Sequence, residues 1–355
     1  MDAEMPLISF LRRPLRRSWT DDSNCILTGP SFDFENSTFT GAAYRGDGSL
    51  ILESLRPSRL GHWRHVDPIT ISYESFPTSE NDLELAIYGG HFFEMWGHFL
   101  FETLATAADA VSMPHCPVVF LPFAKGGNQE GFMNCWKKFA PLLAAAGWGS
   151  RPLVLQSSAM HIDRLIIPER LSVYAAPVGD RSATDDMAKI YRSLRECLAP
   201  GVVGSRIVVA CRPSWTVRQH PAEQDIYEAL AKAGCFLADC VTLSSVEQAK
   251  IFASASAIVG FAGSNLHNSV FCHEHTPVLE IGDARSYASG PDHRNNTQIT
   301  ICGVLQQPLI FVESFTKDLR GLSPMSSLAV REGIERILSL ALPQKTTCDT
   351  SHYQS

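Results

Sequence analysis

The chain has 355 residues, about twice the usual domain length, so two compact lobes are expected, each with enough chain to bury its own core. Its composition, 45% hydrophobic and 19% charged with 24 Gly and 21 Pro, excludes collagen-like and wholly disordered chains. Lys and Arg number 30 against 37 Asp and Glu, a net charge of −7, which argues against a generic nucleic-acid coat but leaves room for a local basic pocket holding one anionic ligand.

The first residues carry acids ahead of a short apolar stretch and lack a long hydrophobic core, so no secretory signal is expected. Arg12, Arg13, Arg16 and Arg17 beside Leu11 and Trp19 suit either a solvated leader or contact with an anionic membrane surface, and Pro14 interrupts any long helix there. The ten cysteines are scattered without CxxC or another zinc-ligand spacing and read as small apolar fillers in a reducing compartment, which points to the cytoplasm. The longest chargeless run, Ile251 to His273, carries Ser, Gly, Asn and His through its middle and is no transmembrane span.

To about residue 80 the chain is rich in turn formers, including Asp21-Asp22-Ser23-Asn24 and Gly46-Asp47-Gly48, with small strands such as Ser49 to Leu52. From Glu84 the texture becomes α/β: a strand Leu85 to Tyr88, a Gly89-Gly90 turn, a helix through about Val111, and a buried strand Pro117 to Leu121. Another helix lies between 130 and 150, followed by strands Leu153 to Leu155 and Arg164 to Pro168. Thr184 caps a connecting helix to Leu198 that starts with Asp185-Asp186, and Ala199-Pro200-Gly201 marks a domain boundary.

The second half alternates strand and helix more clearly. Strands are expected at Arg206 to Ala210, Cys235 to Leu237, Ala257 to Gly260 and Pro277 to Ile281. Helices fall between them at Ala222 to Ala233, from Ser244 or Ser245 to Ala255 with Glu247 or Gln248 completing a capping box, and at Asn265 to Phe271. This spacing implies parallel strands with right-handed crossovers, a Rossmann-like layer whose ligand sits outside the carboxyl ends of the strands.

Three residue sets occupy those ends. Gly260 to Asn268 passes from strand to helix through small residues, including Gly263, Ser264 and Asn265, and exposes amides that form a candidate phosphate cradle, with His267 and Asn268 as hydrogen-bond donors to a diphosphate or as core and capping residues. Arg212 and Arg218 offer guanidinium groups to phosphate oxygens, Arg218 suiting a surface ion pair equally well. Glu280 suits ribose hydroxyls or an ordinary charged strand end. Neither a Walker A loop nor a dinucleotide fingerprint is present, which counts against a P-loop NTPase or an NAD-linked oxidoreductase.

In the first half, His91, Glu94, His98 and Glu102 cluster within twelve residues. On a helix from about Met95, His98 and Glu102 share a face at i and i+4, which suits a carboxylate-oriented general base or a buried structural bond. HxxxE is not the HExxH zinc motif, and no metal is expected.

The ordered set of Trp96 to Leu104, Ser245 to Gln248, and Gly263 to Phe271 followed by Thr276 to Ile281 resembles the family 61 glycosyltransferases, closest to bacterial capsular polysaccharide biosynthesis proteins, over about residues 85 to 310. Family members often carry His-Gly-Ala at the glycine turn, where this chain has Ala262-Gly263-Ser264, with His267 a partial replacement. The resemblance implies α/β GT-B architecture, two Rossmann-like lobes facing across a cleft, and inverting transfer from a nucleotide-activated sugar to a glycan or lipid-linked glycan hydroxyl, without a metal. With the texture change near residue 80 and the boundary at Ala199-Pro200-Gly201, the expected division is a leader with small strands (1–80), an acceptor-side lobe (81–199), a nucleotide-sugar lobe (200–343) and a disordered tail (344–355). His98 is then the base and Glu102 its orienter, with His91 or Glu94 as rivals. Arg212, Arg218 and the amides of Gly263 to Asn268 stabilise the leaving diphosphate, and Phe92, Phe93, Trp96, Trp215 and Tyr287 are candidates for stacking. The competing reading is a catalytically silent nucleotide- or carbohydrate-binding protein, and in either case a cytoplasmic location, at most peripheral to the membrane, is expected.

Overall fold

The computed structural model describes residues 11–12, 19–33, 35–36, 38–56, 64–72, 82–106, 113–123, 129–149, 151–156, 158–171, 182–183, 185–212, 223–282, 296–312, 332–333 and 335. Thr184, Trp215, Arg218, Tyr287 and the expected tail lie outside them. The protein is a mixed α/β chain built on two main sheets with parallel strands.

The first sheet holds β1 (Trp19–Leu27), β2 (Ala43–Tyr44), β3 (Ala86–Phe93), β4 (Val118–Phe123), β5 (Leu153–Leu155) and β6 (Met160–Pro168), in the order β2-β1-β6-β3-β4-β5. From β6 to β5 the neighbours are parallel, while β1 lies antiparallel on β6 and β2 on β1. The turn reading of Asp21-Asp22-Ser23-Asn24 is corrected, because these residues lie inside β1. Two arginines explain it: Arg164 on the paired strand grips Asp21 at 2.9 and 2.6 Å, and Arg45 reaches Asp22 at 3.1 Å.

The Gly89-Gly90 turn is likewise corrected, since β3 runs straight through both glycines to Phe93. A Cβ on Gly89 would fall 2.4 Å from the Phe120 ring, and Gly90 has φ +81° where the register shifts against β4. The following helix opens wider than an α-helix, and its expected end at about Val111 lies outside the described residues. Trp96–His98 is one α-turn, Phe99–Thr103 bonds as a π-turn and Leu104–Thr106 as a 3₁₀ turn.

The second sheet is β7 (Arg206–Cys211), β8 (Phe236–Asp239), β9 (Ala255–Phe261), β10 (Val278–Ile281) and β11 (Leu309–Val312), all parallel in the order β8-β7-β9-β10-β11. Strand order reverses between β7 and β9, and the carboxyl ends at such a reversal are where open α/β sheets bind their ligands. The helices are α1 (Gln129–Leu143), α2 (Asp185–Leu198), α3 (Glu223–Lys232), α4 (Ser245–Ala253) and α5 (Asn296–Val304). Ser244 caps α4 in a full capping box with Glu247, leaving Ser245 to bond the Lys138 carbonyl of α1 at 2.8 Å.

Helix α2 joins the halves: Tyr191 donates to the Leu100 carbonyl, Ser193 to Ala145 and Arg195 to Cys272. One apolar cluster continues from Phe92 and Phe120 through Tyr191 and Leu194 to Ile258 and Val278, so burial couples the two sheets. Among the described residues no helix is long and apolar enough to cross a membrane, and none of the described cysteines is disulfide-bonded.

Candidate active site

The chain leaves β3 extended at Met95 and turns at Trp96–His98. His98 and Glu102 meet as the spacing predicts, Nδ1 against Oε1. Arg56 completes the group from a segment the sequence did not single out, donating Nε to Glu102 Oε2 at 2.5 Å and Nη2 to Oε1 at 2.8 Å. The Arg56 and Glu102 side chains are 2% and 3% exposed, that of His98 28%. Burial pushes the Glu102 carboxyl up, but the Arg56 guanidinium and His98 outweigh it and hold the carboxyl at about 2. An ionised carboxylate only accepts, so His98 Nδ1 is the donor, and in the neutral ring Nε2 carries no hydrogen.

Arg56 is itself fixed. Ser54 ahead of it accepts from the Ala43 amide at 2.9 Å and donates to the Ile51 carbonyl at 2.7 Å. The Arg56 amide donates to His65 Nδ1 at 2.8 Å, and His65 Nε2 lies 2.6 Å from Asp67 Oδ2.

His91 is a core ring. It is 1% exposed, edge-on to Phe39 and His65 at 4.9 and 5.1 Å, and burial, then His65, Arg170 and Arg56, push its imidazole well below the ordinary range. A ring sealed there does not meet a substrate hydroxyl. Glu94 is half-buried just after β3, its amide donating to the Phe123 carbonyl at 3.3 Å. Phe92 and Phe93 are buried core side chains, and Trp96 is partly buried.

The glycine turn sits where sheet order reverses. After β9 the chain passes Ala262, Gly263 and Ser264 into a 3₁₀ helix, Leu266–Phe271. Asn265 Nδ2 donates to the Ala210 carbonyl at 2.8 Å and ties the turn to the end of β7. The amides of Leu266, His267 and Asn268 are used in the 3₁₀ helix. Those of Gly263, Ser264 and Asn265 find no acceptor among the described residues, and Ser264 is exposed. Three donors at a strand's carboxyl end can hold an anion.

Asn268 does not point a side chain at that space. It is fully buried, donates Nδ2 to Gln248 Oε1 at 3.0 Å and to the Asn265 carbonyl at 2.9 Å, and accepts at Oδ1 from Trp96 Nε1 at 3.2 Å. Arg212 also differs from expectation. Its guanidinium grips Glu223 by Nε at 2.8 and 3.0 Å and by Nη2 at 2.7 Å, while Nη1 reaches the Ala262 carbonyl at 3.3 Å. Arg212 therefore braces the glycine turn from beneath. Glu280 lies in β10 between Gly260 and Phe311, 0% exposed, within electrostatic reach of Cys302.

The two motif segments touch. Besides the bond from Trp96 to Asn268, a Cβ on Gly97 would fall 2.3 Å from His267 Nδ1 and 3.0 Å from Ser264 Cβ. Only a glycine lets the turn carrying His98 seat on the turn carrying the open amides.

The turn that carries a carboxylate-oriented imidazole seats through Gly97 on the glycine turn of a parallel α/β sheet, and such a pairing can serve proton transfer beside a bound anion. The sequence model described as Glycosyltransferase 61 matches residues 96–279, more than half of the chain, running from the Trp96 turn into β10. The chain belongs to glycosyltransferase family 61, and by class it is a transferase. A search among curated proteins found no match.

Proposed function

We propose that the protein is an inverting glycosyltransferase of GT-B build that moves a sugar from a nucleotide-activated donor to a hydroxyl of a glycan or lipid-linked glycan. In this reading it works in capsular, exopolysaccharide or lipopolysaccharide biosynthesis, at the cytoplasmic side. The observation that supports it is the seat of Gly97 on His267 and Ser264, which brings the His98 turn and the open amides of Gly263, Ser264 and Asn265 into one locality.

In the proposed reaction the acceptor hydroxyl gives its proton to His98 Nε2 as its oxygen attacks the anomeric carbon. The bond from that carbon to the phosphate oxygen breaks on the opposite face, and the nucleoside diphosphate leaves with the electron pair. Glu102 stays ionised and stabilises the imidazolium, while the glycine-turn amides take up charge on the departing phosphate. Arg212 serves by holding that turn, and Arg218 is a further donor-side residue of the proposal, whereas Glu280, sealed inside β10, does not reach the donor. No metal is assigned a role.

A thermal-melt screen against nucleotides and nucleotide sugars identifies the donor, because a ligand that binds only the folded chain raises its Tm. With that donor, His98→Ala is expected to keep the Tm rise and lose transfer by roughly 10²- to 10⁴-fold. Near-normal turnover by this variant removes His98 from the role, and stabilisation by nucleotide with no product from any donor leaves a binding protein only.

A further inference from the structure

We propose that Arg56 is a positioning residue for His98: acting through Glu102, it keeps Nε2 of the imidazole free of hydrogen and directed away from the carboxylate. The inference rests on His98 being the base.

A carboxylate that is 3% exposed with an imidazole as its sole partner relieves its charge in one of two ways. It takes a proton from solvent, in which case the carboxylic O–H donates to Nδ1 and the neutral ring places its hydrogen on Nε2. Otherwise it holds the ring as imidazolium, with hydrogen on both nitrogens. Either way Nε2 has no lone pair for a hydroxyl proton. Arg56 removes both drives, because its two N–H bonds occupy Oε2 and Oε1 while its charge balances the carboxylate.

The surrounding groups act in the same sense. Arg170, following β6, is half-buried and within electrostatic reach of Glu102 and Arg56. From β3, Tyr88 faces Arg170, and His91, which burial and its neighbours keep neutral, faces Arg56 and Arg170. Behind Arg56, the pair His65–Asp67 holds its backbone, and the guanidinium lies 5.2 Å over the Phe93 ring. The carboxylate thus meets the Arg56 guanidinium at both oxygens and His98 at Oε1, and the guanidinium fork fixes the plane in which Oε1 meets Nδ1.

The test is substrate-free: two-bond ¹H–¹⁵N spectra of the full chain labelled with ¹⁵N-histidine, from pH 5.5 to 8.5, with His98 assigned by its loss in His98→Gln. Neutral His98 in the unsubstituted chain is expected to carry its hydrogen on Nδ1. In Arg56→Gln, the pH at which Nε2 loses its hydrogen should rise by about one to two pH units, and Arg56→Lys, which keeps the charge, should fall between the two. An Nε2 unmoved in folded Arg56→Gln overturns the inference. So does an unsubstituted chain whose neutral His98 carries its hydrogen on Nε2, a result that needs no variant to fold. His98→Ala that transfers normally sinks the base assignment while leaving the spectra intact, so the two ideas fail separately.

Discussion

A buried arginine–glutamate pair stands in each half of the chain, and the two pairs are used differently. Arg56 and Glu102 come from segments 46 residues apart, and the third partner is His98, a titratable ring at 28% exposure. Arg212 and Glu223 are eleven residues apart, and the third partner is the Tyr227 hydroxyl, which donates to Glu223 at 2.7 Å. Burial, then Glu223, pushes that phenol far up, so its proton is fixed. The same fork on the same carboxylate is a brace when its open end is a locked phenol. In the proposed reaction it becomes part of a proton-handling device, because the open end is an imidazole near solvent.

Breaking the brace is expected to have the largest effect on stability. Arg212→Met takes the guanidinium away from the buried Glu223 carboxylate and should cost about 3–5 kcal/mol in urea unfolding, with the double variant Arg212→Met/Glu223→Leu recovering most of it. A loss below about 1 kcal/mol would show that the pair is not a foundation of the turn.

The other pair is probed by acid. Glu102 is held at about 2 against an ordinary 4.5, a depressed value, so its contribution is complete above pH 4.5 and is lost as pH falls toward 2. That loss amounts to about 3 kcal/mol. Unfolding at pH 5 and pH 3 should therefore show a shallower fall for Glu102→Gln than for the unsubstituted chain, and parallel curves would contradict the electrostatic account.

The joint between the halves comes next. Gly97→Ala places a methyl 2.3 Å from His267 Nδ1 and should cost about 1–3 kcal/mol as the two turns separate. An unchanged Tm would mean that the contact yields freely. The smallest effect is expected from Trp96→Phe, which removes the 3.2 Å bond to Asn268 for about 1 kcal/mol, to be read from the melt of the ligand-free chain.

Legibility follows how local each element's cause is. The parallel half was readable because Ser244 and Glu247 cap α4, Gly234 ends α3 at φ +86°, and the strands are short apolar runs. In the first half the causes are distant. Asp21 and Asp22 sit in a strand because Arg164 and Arg45 meet them, and Gly89 is a strand residue because the Phe120 ring lies against it. The site divides along the same line. His98–Glu102 is an i,i+4 pair, visible from spacing, and the glycine turn is visible from its small residues. Arg56 and Glu223 carry no local signal, and the commitment of Asn268 depends on Trp96, 172 residues away.

The π-turn at Phe99–Thr103 makes this stretch intolerant of any change in length. Its bonds close from i to i+5, one residue wider than an α-turn. Deleting any one of Phe99, Leu100 or Phe101 would make His98 and Glu102 an i,i+3 pair and change the angle at which the carboxylate meets the imidazole and Arg56. A homologue shortened here would retain every residue of the motif and lose its phase, so gaps, more than substitutions, are what should mark an inactive copy of this site.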